Sequence, residues 1–354
     1  MKDDILFVTF RMTPPFFLGG AEVSQRILAE RLNAAGYKVY CIGSYAHPVR
    51  NTWDSLPAYC NQLKKLNIPF EFIGPGSDLS YSYKGVFCTM VPQEKIIDKL
   101  KQKLEEGVRI VFSWLEHSDE IINLSAENGI DTVAWIQDVL PVGLSALRAK
   151  PTFVLYTSKF VHQLAKKLFC RDGFVFYPPF DNISKFYINK RKHKVITLIN
   201  PIPEKGIDTF LELSIYFRDF LFLTVEGWRP VKIDERYLKK NVKYIPRRNN
   251  LTSIYRQTRI LLVPSHFEEG FGRTVTEAAL HGVPAIASNR GGLIEAVGKG
   301  GVIINSHEVK EWIDAVKMVD DVTNYEKLCI QARRHAKFFL RDPISQLLEM
   351  GILS

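Results

Sequence analysis

The chain alternates short apolar runs with longer amphipathic ones. "ILFVTF" at 5–10 is a mostly apolar run of strand length, as expected of a strand buried on both faces. The breaker-rich "RMTPPFFLGG" follows. In "AEVSQRILAERLNAAG", Val23, Ile27, Leu28 and Leu32 recur at helical spacing, and Gly36 stands where a C-terminal cap belongs. "YKVYCIG" then closes a βαβ unit. The same alternation predicts strands at "IPFEFIG", "RIVFSW", "DTVAWIQD" and "TFVLYTS", with a helix in "EKIIDKLKQKLEEG".

A second series begins after a proline- and charge-rich linker, "FVFYPPFDNISKFYINKRKHK". Its strands are expected at "VITLIN", "FLFLTVEG", "VKYIP", "RILLVPS", "PAIAS" and "GVIIN", with helices in "GIDTFLELSIYF" and near "LTSIYRQ". Strands alternating with helices predict parallel sheets covered on both faces. A chain of 354 residues exceeds what one core commonly supports. The expected division is an N-terminal domain at 1–178 and a C-terminal domain at 179–339. The last segment, 340–354, is read as a helix returning to the first domain. Two such sheets face each other across a cleft, and ligands of open α/β sheets bind beyond the carboxyl ends of the strands. The strand-to-helix loops are therefore where chemistry is expected.

Composition narrows the class. With 46% apolar and 24% charged residues, disordered and collagen-like chains are excluded. No run approaches the roughly 18 apolar residues of a membrane span. The start, "MKDDILFVTF", carries acids where a secretion signal is basic, so a cytoplasmic protein is expected. Cys41, Cys60, Cys88, Cys170 and Cys329 are scattered, with no C-x-x-C pair. That argues against a disulfide framework and against a zinc site. The net charge of +9 is uneven, with 20 basic and 18 acidic residues in 1–178 against 27 and 20 beyond. A basic second half suits an anionic ligand. No arginine-rich run or nucleic-acid motif is present, so nucleic acid is not an expected partner.

Four loops are candidates. "PPFFLGGAE" puts Gly19 and Gly20 just before a helix, where bare backbone N–H groups can meet an anion. It lacks the G-x-G-x-x-G pattern, and no acid closes the next strand, which disfavours a dinucleotide. "INPIPEKGIDTF" sets Lys205 and Gly206 at a helix start, where a lysine can pair with phosphate. "HFEEGFGRTVTEAALHG" combines Gly270 and Gly272, a helix N-terminus and two carboxylates, Glu269 and Glu277. Carboxylates accept hydrogen bonds from sugar hydroxyls. Glu277 has a second reading, because Thr274 to Glu277 spells T-x-x-E, a capping box. "SNRGGLIEAV" brings Gly291 and Gly292 to another helix start and is a candidate wall of the same pocket. "SKFVHQLAKKLFCR" mixes Lys159, Lys166, Lys167 and Arg171 with Phe160, Leu164 and Leu168. It reads either as a helix resting on an anionic membrane or as one packing on its own core.

Taken together, "GGAEVSQRILAERLNAAGYKV", "YTSKFV", "EKGIDTF", "VPSHFEEGFGRTVTEAALHGVPAIAS" and "NRGGLIEAV" make the chain similar to retaining glycosyltransferases of family 4. The resemblance spans nearly the whole chain and includes that family's E-x7-E pattern, Glu269 to Glu277. It implies the GT-B fold, two Rossmann-like α/β/α domains, and transfer from a nucleotide sugar, UDP- favoured over GDP-, with retained configuration. Glu277 would bind the ribose. Glu269, Gly270, Phe271 and Gly272 would hold the sugar, with Arg273 and Thr274 beside them. Gly19, Gly20 and Lys205 would face the diphosphate, and Ile245 and Pro246 the base. Glu269, Lys205 and Asp138 are the implied catalytic group. No metal and no cofactor are implied, since the nucleotide sugar is a co-substrate, and the sequence contains no Asp-x-Asp.

Two positions depart from the family. Asn200 replaces a common arginine five residues before Lys205, which leaves Arg273 as a candidate substitute. Gln137, followed by Asp138, stands where a histidine is often found, and His117 after the preceding strand is another candidate. These departures keep two alternatives open: a nucleotide-sugar-binding scaffold with weak catalysis, and a sugar-nucleotide epimerase. The expected acceptor is a sugar, a polysaccharide precursor or a lipid-linked molecule, the last at the inner face of a membrane.

Overall fold

The structure is a computed structural model and describes residues 2–17, 19–45, 55–74, 78–181, 194–228, 230–238, 241–306 and 308–354. Linker residues 182–193 and Leu18 of the first glycine loop lie outside the described residues. The chain divides into two compact units, Met1–Pro179 with Arg341–Ser354, and Phe180–Leu340.

The first unit runs β1 (Asp4–Val8), α1 (Gly20–Ala34), β2 (Lys38–Ser44), α2 (Leu56–Lys65), β3 (Phe70–Ile73), β4 (Asp78–Tyr83) and β5 (Val86–Val91). It continues through α3 (Ile96–Glu105), β6 (Ile110–Ser113), α4 (Ser118–Glu127), β7 (Asp131–Ile136), β8 (Phe153–Tyr156), α5 (Lys159–Phe169) and β9 (Phe174–Val175). Among the described residues its strands form one sheet in the order β3-β4-β5-β2-β1-β6-β7-β8-β9. From β5 to β9 every pairing is parallel, with Ile5 opposite both Val39 and Ile110.

One edge corrects the expectation of a parallel sheet. Strands β3, β4 and β5 pair antiparallel. Lys84 (φ 49°) and Gly85 (φ 81°) supply two consecutive left-handed residues between β4 and β5, a two-residue turn whose twist matches that of a hairpin. β4, β5, α2 and α4 are not among the elements expected from the sequence; the structure adds all four.

Successive strand residues point to opposite faces, and both faces of this sheet are covered. Ile5, Phe7, Val39, Cys41, Phe112, Trp114 and Trp135 pack on one side with Leu28 and Leu32 of α1. Leu6, Val8, Ile42 and Val111 pack on the other with Ile96, Leu100 and Leu104 of α3. Helix α5 is capped by Ser158, buries Val161 and Ala165, and packs Phe160 and Phe169 against the core while leaving Leu168 exposed. Its Lys166 pairs with Asp172 at 2.6 Å. Among the described residues no helix is long and apolar enough to cross a membrane. The five cysteines are free thiols.

The second unit contains β10 (Val195–Ile199), α6 (Ile207–Tyr216), β11 (Leu221–Val225), α7 (Glu235–Leu238), β12 (Val242–Ile245), α8 (Thr252–Gln257), β13 (Ile260–Val263), α9 (Arg273–Leu280), β14 (Ala285–Ser288), α10 (Leu293–Val297), β15 (Gly301–Ile304), α11 (Val309–Asp320) and α12 (Val322–Lys337). Its strands lie in the order β12-β11-β10-β13-β14-β15, and among the described residues every pairing is parallel. Ile196, Leu198, Phe222, Leu262 and Ile286 face α6 and α11 through Phe210, Leu213, Trp312 and Val316. Leu223, Val225 and Val195 face Ile254 of α8.

After α12 the chain re-enters the first unit as α13 (Pro343–Glu349), capped by Asp342. Leu347, Ile352 and Leu353 join the cluster around Phe7 and Leu28. Each such side chain contributes about 1.5–3 kcal/mol when removed from water.

Candidate active site

In the second unit, parallel pairing puts the carboxyl ends of β10, β11, β13 and β14 along one edge, and the loops after them meet there. After β10, Asn200 turns the chain with φ at +64°. A short 3-10 turn at Pro203–Lys205 leads through Gly206 into α6. Gly206 has φ +77°, and a Cβ on it would stand 2.1 Å from the Pro264 carbonyl oxygen. Gly206→Ala is therefore expected to lower the thermal midpoint measurably, by more than the roughly 1 kcal/mol of an ordinary strained glycine replacement; an unchanged midpoint would show that the loops after β10 and β13 are not in contact.

That turn carries Lys205 to Glu269, Nζ to Oε1 at 2.5 Å, and both side chains are largely buried. The Ser265 hydroxyl donates to the same Oε1 at 2.5 Å. Oε2 of Glu269 has no hydrogen bond among the described residues and remains a free acceptor. Two rings lie against the lysine: its Nζ is 5.0 Å from the Trp228 ring centre and 4.7 Å from that of Phe267. Cation–π attraction favours this placement.

The loop 268–272 is braced by the loop 289–292. The Gly292 N–H donates to the Glu269 carbonyl at 2.8 Å, and Arg290 pairs with Glu268 at 3.2 Å. A Cβ on Gly292 would lie 2.5 Å from the Gly270 carbonyl oxygen, so only glycine allows this approach. Gly272, at φ +99°, is the N-cap of α9 and brings no side-chain cap. Phe271 is buried beside Phe339, ring centres 4.9 Å apart.

The T-x-x-E capping box does not form. The helix starts one residue ahead of Thr274, which sits half-buried in its first turn. Glu277 instead accepts from Arg273 Nε at 2.9 Å and from the Tyr255 hydroxyl at 3.0 Å. Burial, then the Glu277 charge, holds the Tyr255 hydroxyl well above its ordinary pKa. Arg273 lies over the Phe180 ring at 4.6 Å, tied to Glu277. Ile245 ends β12, two strands from β10, and its carbonyl accepts from the Glu226 N–H at 2.9 Å. Pro246 is exposed beyond it. Asn200 is buried, and its Oδ1 accepts from the Trp228 N–H at 3.1 Å.

The first unit gathers a second charged cluster. Gly19 caps α1 in extended conformation, and its N–H donates to Glu22 Oε2 at 2.9 Å. Glu22 Oε1 meets Arg11 Nη1 at 3.0 Å. The other edge of that guanidinium grips both oxygens of Glu116, at 2.9 and 2.8 Å, the strong bidentate geometry. Burial opposes the Arg11 charge, but the two carboxylates outweigh it and raise its pKa. Burial likewise opposes the Glu22 charge, and Arg11 overrides it to hold that pKa down.

Asp138 follows β7 and accepts from the Leu140 N–H at 3.0 Å. Its pKa is pushed up to about 6, chiefly by burial and further by the charges of Glu116 and Glu22, against the Leu140 hydrogen bond and Arg11. Gly143 leaves no room for a side chain, since a Cβ there would stand 1.8 Å from Asp138 Oδ1. Gln137 precedes it, its Nε2 buried without a partner among the described residues. His117 sits at φ +54° before α4, its ring 4.3 Å from that of Phe10, and is exposed.

The structure thus brings Lys205, Glu269 and the glycines 270 and 272 together, and separately Gly19 with Asp138's electrostatic neighbours. It adds Arg11, Glu22, Glu116, Ser265 and Trp228. Of these, only Glu22 had a visible signal, the acid three residues after Gly19. Among the described residues no group of three or more His, Cys, Asp and Glu side chains is arranged to hold a metal ion.

Residues 180–335 match the family described as glycosyl transferases group 1. A D-inositol 3-phosphate glycosyltransferase of Paenarthrobacter aurescens is 36% identical over 92 residues, 25% of this chain and 22% of that protein. A second, from Rhodococcus erythropolis, is 37% identical over 92 residues, 25% and 21% of the respective chains. The matched region thus spans about a fifth of these curated relatives. Sucrose-phosphate synthase from Thermosynechococcus elongatus superimposes with a TM-score of 0.72 at 18% identity, over 99% of this chain and 97% of that one. Anabaena HepE, solved in complex with UDP and glucose, gives 0.69 at 17% identity, over 99% and 98%. The chain therefore has the GT-B fold, and its second unit carries the match to glycosyl transferases group 1.

Proposed function

We propose that this protein is a metal-independent, retaining glycosyltransferase of family 4. It moves a sugar from a nucleotide sugar, UDP- in preference to GDP-, to a hydroxyl acceptor in polysaccharide, glycolipid or glycoconjugate synthesis at the cytoplasmic side of a membrane. The observation that carries the reading is the Lys205–Glu269–Ser265 cluster, set among glycine-built loops at the strand ends of the second unit. The curated relatives named as glycosyltransferases and the Anabaena protein's UDP complex support the substrate class.

In this reading the diphosphate lies against Lys205 and the N-terminus of α9, and the free Oε2 of Glu269 accepts a sugar hydroxyl. Lysine has three donors, so Nζ keeps Glu269 while it binds phosphate. As the glycosidic bond lengthens, negative charge grows on the leaving diphosphate. Lys205 and the backbone N–H groups of Gly270 to Gly272 stabilise it. The acceptor hydroxyl attacks from the face the diphosphate leaves, which retains configuration. Glu277 binds the ribose with the lone pairs that Arg273 and Tyr255 leave over. Ile245 and Pro246 meet the base. Asp138, near 6 in pKa, lies in the range suited to handling an acceptor proton at neutral pH.

Calorimetric titration with UDP-glucose and GDP-mannose, then donor hydrolysis assays and NMR of the product anomer, tests this. Binding of neither nucleotide sugar would sink the reading. Glu277→Ala is expected to weaken free-nucleotide binding roughly tenfold, the worth of one or two hydrogen bonds. Glu269→Ala is expected to lower turnover more than affinity, and unchanged turnover would remove Glu269 from the site. The scaffold alternative draws on Asn200, whose uncharged amide is engaged by Trp228 and brings no cation; it predicts binding without transfer.

A further inference from the structure

An exposed tryptophan is ordinary by itself; Trp228 is not ordinary in how it is held. It is 40% exposed at the loop that follows β11. Its backbone N–H donates to Asn200 Oδ1 at 3.1 Å. The preceding Gly227 lies so close to Asn200 that a Cβ there would stand 2.5 Å from the Asn200 Cβ and 2.6 Å from its Oδ1. Asn200 is itself buried and left-handed at φ +64°. A strained, buried residue thus fixes the backbone of an open indole.

The indole reaches the charged cluster. Lys205 Nζ lies 5.0 Å from its centre, and the Phe267 ring lies 6.4 Å away at 48°. Two neighbouring rings from separate loops therefore both lie against the cation that holds Glu269. Apolar ring faces next to one free carboxylate oxygen and one ammonium group have a matching ligand class: a pyranose with one C–H face and a rim of hydroxyls. Ring faces are negative in their quadrupole and attract the weakly positive C–H groups of such a face. Small-ligand sites combine aromatic walls with few, placed polar groups in this way.

We propose that Trp228 and Phe267 form the platform on which the transferred sugar lies, with Trp228 as a donor-sugar specificity residue. This rests on the nucleotide-sugar reading and deepens it. Asn200 then acts as a positioning residue: where the resemblance leads one to expect a phosphate-binding arginine, this chain has a support for the platform.

The test is calorimetry on the full-length protein with UDP-glucose and GDP-mannose, each paired with UDP or GDP as the sugar-free probe. Trp228→Ala is expected to weaken the sugar nucleotide roughly tenfold, the scale of one aromatic contact, and to change the free nucleotide by less than about twofold. Trp228→Phe is expected to recover most of the loss. Addition of the sugar nucleotide to the wild type is expected to change tryptophan emission more than the free nucleotide does, and Trp228→Phe to abolish that difference. Equal losses for sugar nucleotide and free nucleotide, or no loss for either, would overturn the platform while leaving the nucleotide-sugar reading standing. Absence of any binding to the wild type would overturn both.

Discussion

Lys205→Ala is expected to lower turnover on the order of 10²- to 10³-fold, the scale of removing one group that stabilises a leaving anion. It is also expected to cost about 3 kcal/mol of stability, the low end for breaking a buried ion pair. The two losses have different causes. Stability falls because Glu269, 8% exposed, loses its cation. Turnover falls because the diphosphate loses a counter-charge. The double variant Lys205→Ala with Glu269→Gln separates them. The amide is neutral and still accepts from Ser265, so the unfolding midpoint is expected to recover most of the way toward the wild type. Turnover is expected to stay low. A double variant that recovers activity would show that Lys205 serves only to neutralise Glu269.

Asp138→Asn is expected to stabilise the protein at pH 7.5 and to leave it unchanged near pH 4. The folded structure lifts the Asp138 pKa from 3.8 to about 6. Between those values the folded state holds a proton that the unfolded chain has released. Stability therefore falls as pH rises through that window. At about 1.4 kcal/mol per unit, the ionised carboxylate costs the fold on the order of 2–3 kcal/mol above pH 6. Asparagine cannot ionise, and its oxygen still accepts from Leu140. Denaturant unfolding of wild type and variant at both pH values checks this. A gain at pH 4 as large as at pH 7.5 would mean that something other than the charge is responsible. If Asp138 also handles the acceptor proton, the stabilised variant loses turnover, and the acidic limb of the wild-type rate profile, near pH 6, disappears with it.

The parts of this fold that follow a simple period were readable in the chain. The runs 195–199 and 260–263 are strands because they are apolar on both faces and bounded by turn residues. The 78–91 hairpin is not among the expected elements, since its turn is Lys84–Gly85 rather than the stronger Asn-Gly, although Leu79, Tyr81 and Tyr83 do alternate with polar residues. At the candidate site, Lys205 and Glu269 stand in motifs, whereas their contact joins residues 64 apart. Arg11 and Glu116 are 105 apart and match no local pattern. Glu277 shows how a correct local rule can lose: T-x-x-E offers a cap, but Gly272 begins the helix earlier, and Arg273 and Tyr255 take the carboxylate. Trp228 was unreadable for the same reason as Arg11, because its partner Asn200 is reached only through the β10–β11 pairing.

The return of α13 to the first unit bears on the order of events at the ribosome. Residues 180–340 form one compact unit from a single uninterrupted stretch, all of it made before 341–354. The first unit must wait, although it begins first, because Leu347, Ile352 and Leu353 complete the cluster around Phe7 and Leu28. During synthesis the earlier half therefore remains an unfinished core with exposed apolar surface while the later half closes, and nascent-chain quality control would act on residues 1–179 longer than their place in the sequence suggests.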